Sequence, residues 1–255
     1  MFKGGTRRIA GKATTTMSTP RSPTAVLVHG AFADASGFNG MIRELGSTGH
    51  TVVAPPNPLR SLAFDAATIA DYVAAIEGPV LLVGHSYGGA VITQASAALG
   101  NVTGLVYLAA FGLDAGESCA SVQQPFAPSL LSTTSYPTTY DAAGAPQGPD
   151  LYIGREKFRE TFCADVPVDT AEVMFATQRP LSLAALTENA TAAGWKTTPS
   201  WFLVCEYDNA ISPDCERFMA ERMRATTRSI AGSHTAFIAQ PVAVAEFIGE
   251  ALAAA

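Results

Sequence analysis

The chain has 255 residues, of which 48% are hydrophobic and only 15% are charged. This length suits one core domain with an insertion, or at most two small domains, and the composition excludes an intrinsically disordered protein. The net charge of −6 argues against a nucleic-acid binder that relies on overall electrostatic attraction. Five of the 16 basic residues lie within residues 1–21, where there is no acid, so the rest of the chain is strongly acidic.

Neither a signal peptide nor a membrane span is predicted. Residues 1–22 lack the apolar core of a secretory signal and are interpreted as a flexible basic leader. The uncharged stretch between Glu77 and Asp114 is interrupted by glycines and polar residues, whereas a spanning helix needs about 20 mostly apolar residues. Buried parallel strands around a helix explain such a stretch equally well. We therefore expect a cytoplasmic protein.

The four cysteines do not form a CxxC pair, so neither a zinc site nor a thioredoxin-like motif is predicted. Cys205 ends an apolar run and Cys215 falls on the apolar side of a predicted helix, so both are expected to be small buried hydrophobic residues. A disulfide between Cys119 and Cys163 is left open.

Short apolar runs alternate with helical patterns through the first 109 residues. The order is a strand at 24–29, a helix at 37–46, a strand at 50–54, a helix at 65–77, a strand at 79–83, a helix at 86–99 and a strand at 102–109. Strands that alternate with helices indicate parallel pairing and a doubly wound α/β sheet.

The alternation stops at about residue 113 and resumes near residue 196. The middle segment is rich in Pro, Thr, Ser and aromatic residues, and its patterns predict helices at 156–163, 170–177 and 182–193. Afterwards the chain predicts a strand at 201–205, a helix at 213–224, a strand at 227–231 and a helix at 241–252. We therefore interpret residues 113–195 as a mainly helical cap inserted into a core formed by residues 23–112 and 196–255.

The sequence Gly84-His-Ser-Tyr-Gly-Gly89 follows directly after a predicted strand and opens a predicted helix. This is a G-x-S-x-G motif in the strand–turn–helix context that gives it meaning. The tight turn needs positions without side chains and places the serine at the carboxyl edge of the sheet. Ser86 is therefore the candidate nucleophile.

A serine hydroxyl needs a base to take its proton, and His234 is the only histidine that follows Ser86. The acid that orients this base should lie between them, on a loop at the same edge of the sheet. Asp208, shortly after the strand at 201–205, is the favoured candidate. Glu206 and Asp114 remain alternatives.

The first strand ends in His29-Gly-Ala-Phe32, where a glycine turn can aim a backbone N–H at the substrate oxygen. Together with the N–H of Tyr87 it predicts a two-donor oxyanion hole. His29 is expected to orient this turn through hydrogen bonds, and His85 is expected to be structural. Phe32 is the candidate substrate-binding residue.

Taken together, these motifs resemble the α/β-hydrolase superfamily, and most closely its small, cap-bearing serine esterase and hydroxynitrile-lyase-like branch. The resemblance implies a mostly parallel sheet of about six strands. It carries the nucleophile, acid and base over to Ser86, Asp208 and His234, and the oxyanion amides to Ala31 and Tyr87. It is weakest across the cap, whose aromatic residues could roof an apolar pocket: Phe126, Tyr136, Tyr140, Tyr152, Phe158, Phe162 and Phe175.

Departures from the lyases of this branch favour ester or lactone hydrolysis. Gly30 and Thr235 stand where the resemblance would place a threonine and a lysine, so the cation expected beside a leaving cyanide is missing. We expect a serine hydrolase of small, neutral, largely apolar esters or lactones that forms an acyl-enzyme and needs no metal or organic cofactor. A carbon–carbon hydrolase, a lyase, a perhydrolase or a ligand-sensing receptor of the same fold remains open. The expected partner is a small ester, not nucleic acid or a membrane, and homodimer formation stays open.

Overall fold

The structure is a computed structural model, and it describes residues 1, 22–139 and 148–255. The predicted basic leader, apart from its two end residues, and Tyr140 of the predicted cap lie outside the described residues. Within the described ranges, no helix has the length and apolar composition needed to cross a membrane.

Nine strands, eleven α-helices and two short 3-10 helices (Ala35–Phe38 and Gly194–Lys196) make up the secondary structure of the described residues. The strands are β1 (Thr24–Val28), β2 (Val52–Val53), β3 (Val80–His85), β4 (Val102–Leu108), β5 (Ser135–Thr138), β6 (Asp150–Ile153), β7 (Leu181–Ser182), β8 (Ser200–Cys205) and β9 (Thr226–Ile230). The helices are α1 (Asn39–Ser47), α2 (Leu62–Ala74), α3 (Tyr87–Ser96), α4 (Cys119–Val122), α5 (Leu131–Thr134), α6 (Arg155–Phe162), α7 (Val168–Ala176), α8 (Leu183–Thr187), α9 (Pro213–Arg222), α10 (Ala236–Ala239) and α11 (Pro241–Ala254).

The main sheet has six strands in the order β2-β1-β3-β4-β8-β9, and every neighbouring pair is parallel. Val26 of β1 lies beside Val53 of β2 on one side and beside Leu82 of β3 on the other. From β1 the chain first adds β2 on one side, and it then adds β3 and the later strands on the other side of β1. This arrangement confirms the predicted doubly wound, mostly parallel sheet of about six strands.

Both faces of the sheet are covered by helices, which explains the nearly continuous apolar runs of its strands. Ala25 and Leu27 of β1 pack in a cluster with side chains of α1 and α11. Val26 and Val28 point to the opposite face and pack in a cluster with side chains of α2 and α3. Because successive side chains alternate between faces, each central strand contributes to two buried layers.

The chain between β4 and β8 departs from the predicted, mainly helical pattern in two places. The strands β5, β6 and β7 form a small antiparallel sheet that the sequence did not predict. The helix predicted at 182–193 ends at Thr187, because the backbone of Ala190 instead exchanges hydrogen bonds with Gly116 and Glu117. The helices predicted at 156–163 and 170–177 are confirmed as α6 and α7, with bounds shifted by one or two residues.

The two ends of this segment are tied to each other and to helix α9. Trp195 Nε1 donates a hydrogen bond to the carbonyl oxygen of Leu113 at 2.7 Å. Arg222 of α9 donates to the carboxylate of Glu117 at 2.6 Å and to the carbonyl oxygen of Gly112 at 2.8 Å. These bonds lie near residues 113 and 195, the boundaries predicted for the cap.

All four cysteines are free and buried. Cys119 and Cys163 therefore form no disulfide bond in this structure. Cys205 is 2% exposed and Cys215 is fully buried, which confirms that both behave as small core residues.

Candidate active site

Ser86 is the single residue between the end of β3 and the start of α3, and its backbone conformation is strained. Its φ of +54° and ψ of −124° lie in a region that residues other than glycine rarely adopt. Such a conformation costs about 1–3 kcal/mol and is kept only where the surrounding structure enforces it. The turn packs directly against β1, since a Cβ on Gly88 would lie 2.2 Å from the carbonyl oxygen of Val28.

Asp208 lies in the loop after β8, and His234 lies in the loop after β9. Asp208 Oδ2 accepts a hydrogen bond from His234 Nδ1 at 2.5 Å, and both side chains are buried. Asp208 Oδ1 accepts the backbone N–H groups of Ala210 at 2.6 Å and Ile211 at 2.9 Å. The carboxylate is thus held on both sides, and His234 Nε2 is the ring nitrogen left for proton transfer.

The other acids considered from the sequence lie elsewhere. Glu206 is exposed, and Asp114 forms an ion pair with Lys196 at 2.5 Å. A further acid close to Asp208 in the chain, Asp214 in the first turn of α9, pairs with Arg217 at the surface. Only Asp208, among the candidate acids, contacts His234.

His85 supports the loop that carries His234. Its Nε2 donates a hydrogen bond to the carbonyl oxygen of His234 at 3.0 Å, and the two rings lie 4.7 Å apart between centroids. Burial lowers the pKa of His85 well below its usual value, and the neighbouring His234 lowers it further. His85 is therefore a neutral donor that positions the backbone of His234, in agreement with its expected structural role.

His29 ties the turn after β1 to the loop that contains Asn57. Its Nδ1 donates to the carbonyl oxygen of Gly30 at 2.9 Å, and its Nε2 accepts the N–H of Asn57 at 2.9 Å, which requires the neutral ring. The N–H groups of Ala31 and Tyr87 donate to no protein acceptor in the part of the chain that the structure describes. Both residues border the same cavity as Ser86, so the two predicted oxyanion donors are available there.

Acid should destabilise the protein through His29. Burial lowers the pKa of His29 to about 4, from an ordinary value of 6.5. Between these values the unfolded chain binds the proton and the folded chain does not, so stability falls as the pH falls. From about pH 7 to about pH 5 we expect this group alone to lower the unfolding free energy by about 2 kcal/mol. Urea unfolding at both pH values measures the loss, and His29→Gln should remove that part of it. An equal loss in both proteins would contradict a neutral His29.

Gly30 approaches the serine too closely for any side chain. A Cβ at this position would lie 2.7 Å from Ser86 Cβ and 2.8 Å from the carbonyl oxygen of His85. We expect Gly30→Ala to lower kcat on an ester substrate by about 10²-fold, because it displaces the turn that carries the N–H of Ala31. The control is Gly46→Ala in α1, where a new Cβ meets nothing within 4 Å. Full activity of Gly30→Ala would show that this turn plays no part in positioning.

A cavity of about 340 Å³ lies above the carboxyl edge of the sheet and brings the predicted site residues together. Ser86, His234, Ala31, Tyr87 and Phe32 all line it, and Asp208 lies behind His234. Its described lining contains no Asp, Glu, Lys or Arg. Most of the remaining lining residues come from the segment between β4 and β8, namely Phe111, Cys119, Ala120, Gln123, Gln124, Phe126, Ala127, Pro128, Ser129, Leu131, Ser132, Ser135, Leu151, Phe162, Leu181 and Leu186.

Phe32 and two of the predicted cap aromatics, Phe126 and Phe162, line the cavity. The backbone N–H of Phe32 donates to the carbonyl oxygen of Arg179 at 2.9 Å, so it is not free for a substrate. Its ring packs edge-on against Phe162, with centroids 6.1 Å apart. Of the seven candidate aromatics, Phe126 and Phe162 line the cavity, whereas Tyr136 is exposed and Phe158 is buried in the core. Among the described residues no cluster of His, Cys, Asp and Glu could hold a metal ion.

Three acids that support the site were not predicted from the sequence. Asp65 accepts a hydrogen bond from the hydroxyl of Tyr87 at 2.8 Å, and Asp165 accepts one from the N–H of Ser233 at 2.9 Å. Glu216 is buried and interacts electrostatically with Asp208. Asp65 and Asp165 contact partners 22 and 68 residues away in the chain, so no local pattern reveals those contacts. Glu216 is close to Asp208 in the chain, but they lie in different elements, the helix α9 and the loop after β8. Glu216 nevertheless lies on the buried side of α9. A charged residue on the apolar side of a predicted helix is unusual and could have marked this position in the sequence.

Comparison with known proteins supports the same fold. A family model described as the alpha/beta hydrolase family matches residues 25–247. Methylesterase 2 of Arabidopsis thaliana is 26% identical over 215 residues, which cover 76% of this chain and 81% of that protein. The crystal structure of polyneuridine aldehyde esterase superposes with a TM-score of 0.79 at 20% identity, covering 91% of this chain and 100% of that one. A pyrethroid hydrolase from Sphingobium faniae JZ-2 gives 0.76 at 21% identity, covering 91% and 98%. The chain belongs to the alpha/beta hydrolase family.

Proposed function

We propose that the protein is a serine hydrolase that cleaves small, neutral, largely apolar carboxylic esters or lactones through an acyl-enzyme. The observation that carries this proposal is the 2.5 Å bond between Asp208 and His234, whose imidazole lines the same cavity as Ser86. Esterases among the relatives, including the methylesterase and the polyneuridine aldehyde esterase, support the same class of reaction.

The proposed reaction begins when Ser86 Oγ attacks the acyl carbonyl carbon and His234 Nε2 takes the hydroxyl proton. The negative oxygen that forms is stabilised by the N–H groups of Ala31 and Tyr87. The carbon–oxygen bond to the leaving alcohol then breaks, and His234 gives its proton to that alcohol. Water attacks the acyl-enzyme with His234 again as base, which releases the acid and restores the Ser86 hydroxyl.

The substrate class follows from the lining of the cavity. Because its described lining contains no charged side chain, a charged acyl group would lose water without gaining a partner there. The acidic remainder of the chain also disfavours anionic substrates at long range. A volume of about 340 Å³ is at the small end of the usual range for ligand sites, in agreement with a small ester.

Lyase chemistry is the less favoured alternative, for a reason visible at the site. Thr235 follows His234, and its hydroxyl donates to the carbonyl oxygen of Phe162 at 3.3 Å. No lysine or arginine is among the described lining residues, so a departing cyanide ion would lack a cation.

Two p-nitrophenyl esters of equal chain length test the proposed substrate class. We expect p-nitrophenyl butyrate to be hydrolysed with a kcat/KM about 10²-fold or more above that of mono-p-nitrophenyl succinate, whose acyl chain carries a carboxylate. Equal values for the two esters would contradict an uncharged acyl site. Saturable binding of butyrate esters with turnover no faster than in buffer would favour a ligand-sensing receptor.

A further inference from the structure

Glu216 is a core carboxyl group that forms no ion pair with any residue in the described part of the chain. It lies in α9, is fully buried, and accepts the N–H of Cys205 on Oε2 at 3.0 Å. Its Oε1 has no hydrogen-bond partner of ordinary length among the residues that the structure describes. The neighbouring Arg217 hydrogen-bonds Asp214 at the surface instead. A buried acid in this situation is costly to ionise.

The acid with which Glu216 interacts is Asp208. Cys205 links the two, because its N–H binds Glu216 and its carbonyl oxygen accepts the N–H of Asp208 at 3.3 Å. The carboxylate of Asp208 accepts three hydrogen bonds and donates none, as an ionised group should.

Two carboxyl groups that share a buried site cannot both be ionised at little cost. Burial, followed by the interaction with Asp208, raises the pKa of Glu216 well above its usual value, and the weaker effects of the Cys205 N–H and of Arg217 oppose this. Burial likewise raises the pKa of the neighbouring Cys205 thiol, so this group adds no charge at neutral pH. The proton therefore belongs on Glu216.

We propose that Glu216 is a positioning residue for the Asp208–His234 pair: it keeps a proton on Oε1, facing the Asp208 carboxylate, while the N–H of Cys205 holds Oε2. Its neutral O–H stabilises the negative charge of Asp208 without adding a second charge behind His234. This role rests on the proposed function, because it concerns the pair that would activate Ser86. The proton itself is a property of the folded protein and can be observed without turnover.

Infrared difference spectroscopy between wild type and Glu216→Gln detects this proton directly. We expect the C=O stretching band of a protonated carboxyl group at neutral pH in the wild type, shifted in D₂O and absent from Glu216→Gln. The same band should appear in the Ser86→Ala background, which has no proposed nucleophile. If the proposed function fails but this band is present, the proton assignment stands. Absence of the band in folded wild type would overturn the proposal.

The pH dependence of kcat/KM on p-nitrophenyl butyrate distinguishes a neutral from an ionised Glu216. The acid limb of this profile reports protonation of the free enzyme's essential base. Glu216→Gln keeps a neutral donor, so we expect the acid limb to stay within about 0.3 units of wild type and kcat within about tenfold. An acid limb that falls by about one unit would show that a negative charge had been removed, and it would overturn the proposal.

Glu216→Met tests whether the donor matters beyond filling space. Without the O–H, the charge of Asp208 is less well stabilised, so we expect kcat to fall by about 10²-fold and the acid limb to rise by about half a unit. Glu221→Gln, an exposed position on the same helix, is the control and should match wild type. A Glu216→Met protein that loses only stability, with an unmoved acid limb, would overturn the proposal. If this variant does not fold, the infrared band and the Glu216→Gln profile still decide.

Discussion

Replacing Ser86 with alanine should lower kcat on p-nitrophenyl butyrate by about 10⁵- to 10⁶-fold, because it removes the atom that forms the acyl-enzyme. The residual rate would come from the amides of Ala31 and Tyr87 and from substrate binding, which remain in place. KM should change little, since the alanine leaves the walls of the cavity intact. Steady-state kinetics with enough protein to measure the residual rate provides the test.

Ser96→Ala is the matched control for this variant. Ser96 is a similarly buried serine at the end of the same helix, and its hydroxyl donates only to the carbonyl oxygen of Thr93 at 3.2 Å. Its turnover should equal that of wild type. Retention of activity in Ser86→Ala would be incompatible with Ser86 as the nucleophile, and an equal loss in Ser96→Ala would show that the effect is not specific to Ser86.

Asp208→Asn should lower kcat by about 10⁴-fold while leaving the fold intact. The N–H groups of Ala210 and Ile211 require an acceptor at Oδ1, so the amide oxygen of the asparagine takes that place. Its NH₂ group then faces His234 Nδ1, which can bind it only as an acceptor. The imidazole proton moves to Nε2, and the nitrogen that faces the cavity can no longer act as a base.

Asp214→Asn is the control, because it changes the same functional group six residues away on the exposed start of α9. Its kcat should stay within about twofold of wild type, since exposed ion pairs of this kind contribute little. A comparable loss in both variants would point to a general electrostatic effect instead of the proposed hydrogen bond to His234.

The main sheet was predictable because its elements carry local signals. The central strands are short apolar runs bounded by turns, and the Gly84–Gly89 motif lies between a strand and a helix in both the prediction and the structure. Chain order was enough to place Asp208 and His234 on neighbouring loops, because parallel strands end at the same edge of the sheet.

The segment between β4 and β8 was harder to predict, because long-range contacts decide its structure. Strand β5 is largely exposed and contains Pro137, so it shows none of the apolar alternation that marks a strand. It exists because it pairs with β6. The helix predicted through residue 193 ends early because the backbone of Ala190 pairs with Gly116 and Glu117, about 70 residues earlier in the chain. The contact of the buried acid Glu216 with Cys205 spans only 11 residues, but it depends on how the loop after β8 leads into α9, which no local pattern shows.

The central claim is that Ser86 is a nucleophile activated by the Asp208–His234 pair, and covalent labelling tests it most directly. The wild-type protein is treated with a fluorophosphonate probe, and the modified residue is located by mass spectrometry of the digested protein. We predict one adduct, on Ser86, that is lost in Ser86→Ala, strongly slowed in Asp208→Asn and unchanged in Ser96→Ala. Absence of labelling in the wild type, or an adduct that persists in Ser86→Ala, would contradict the account.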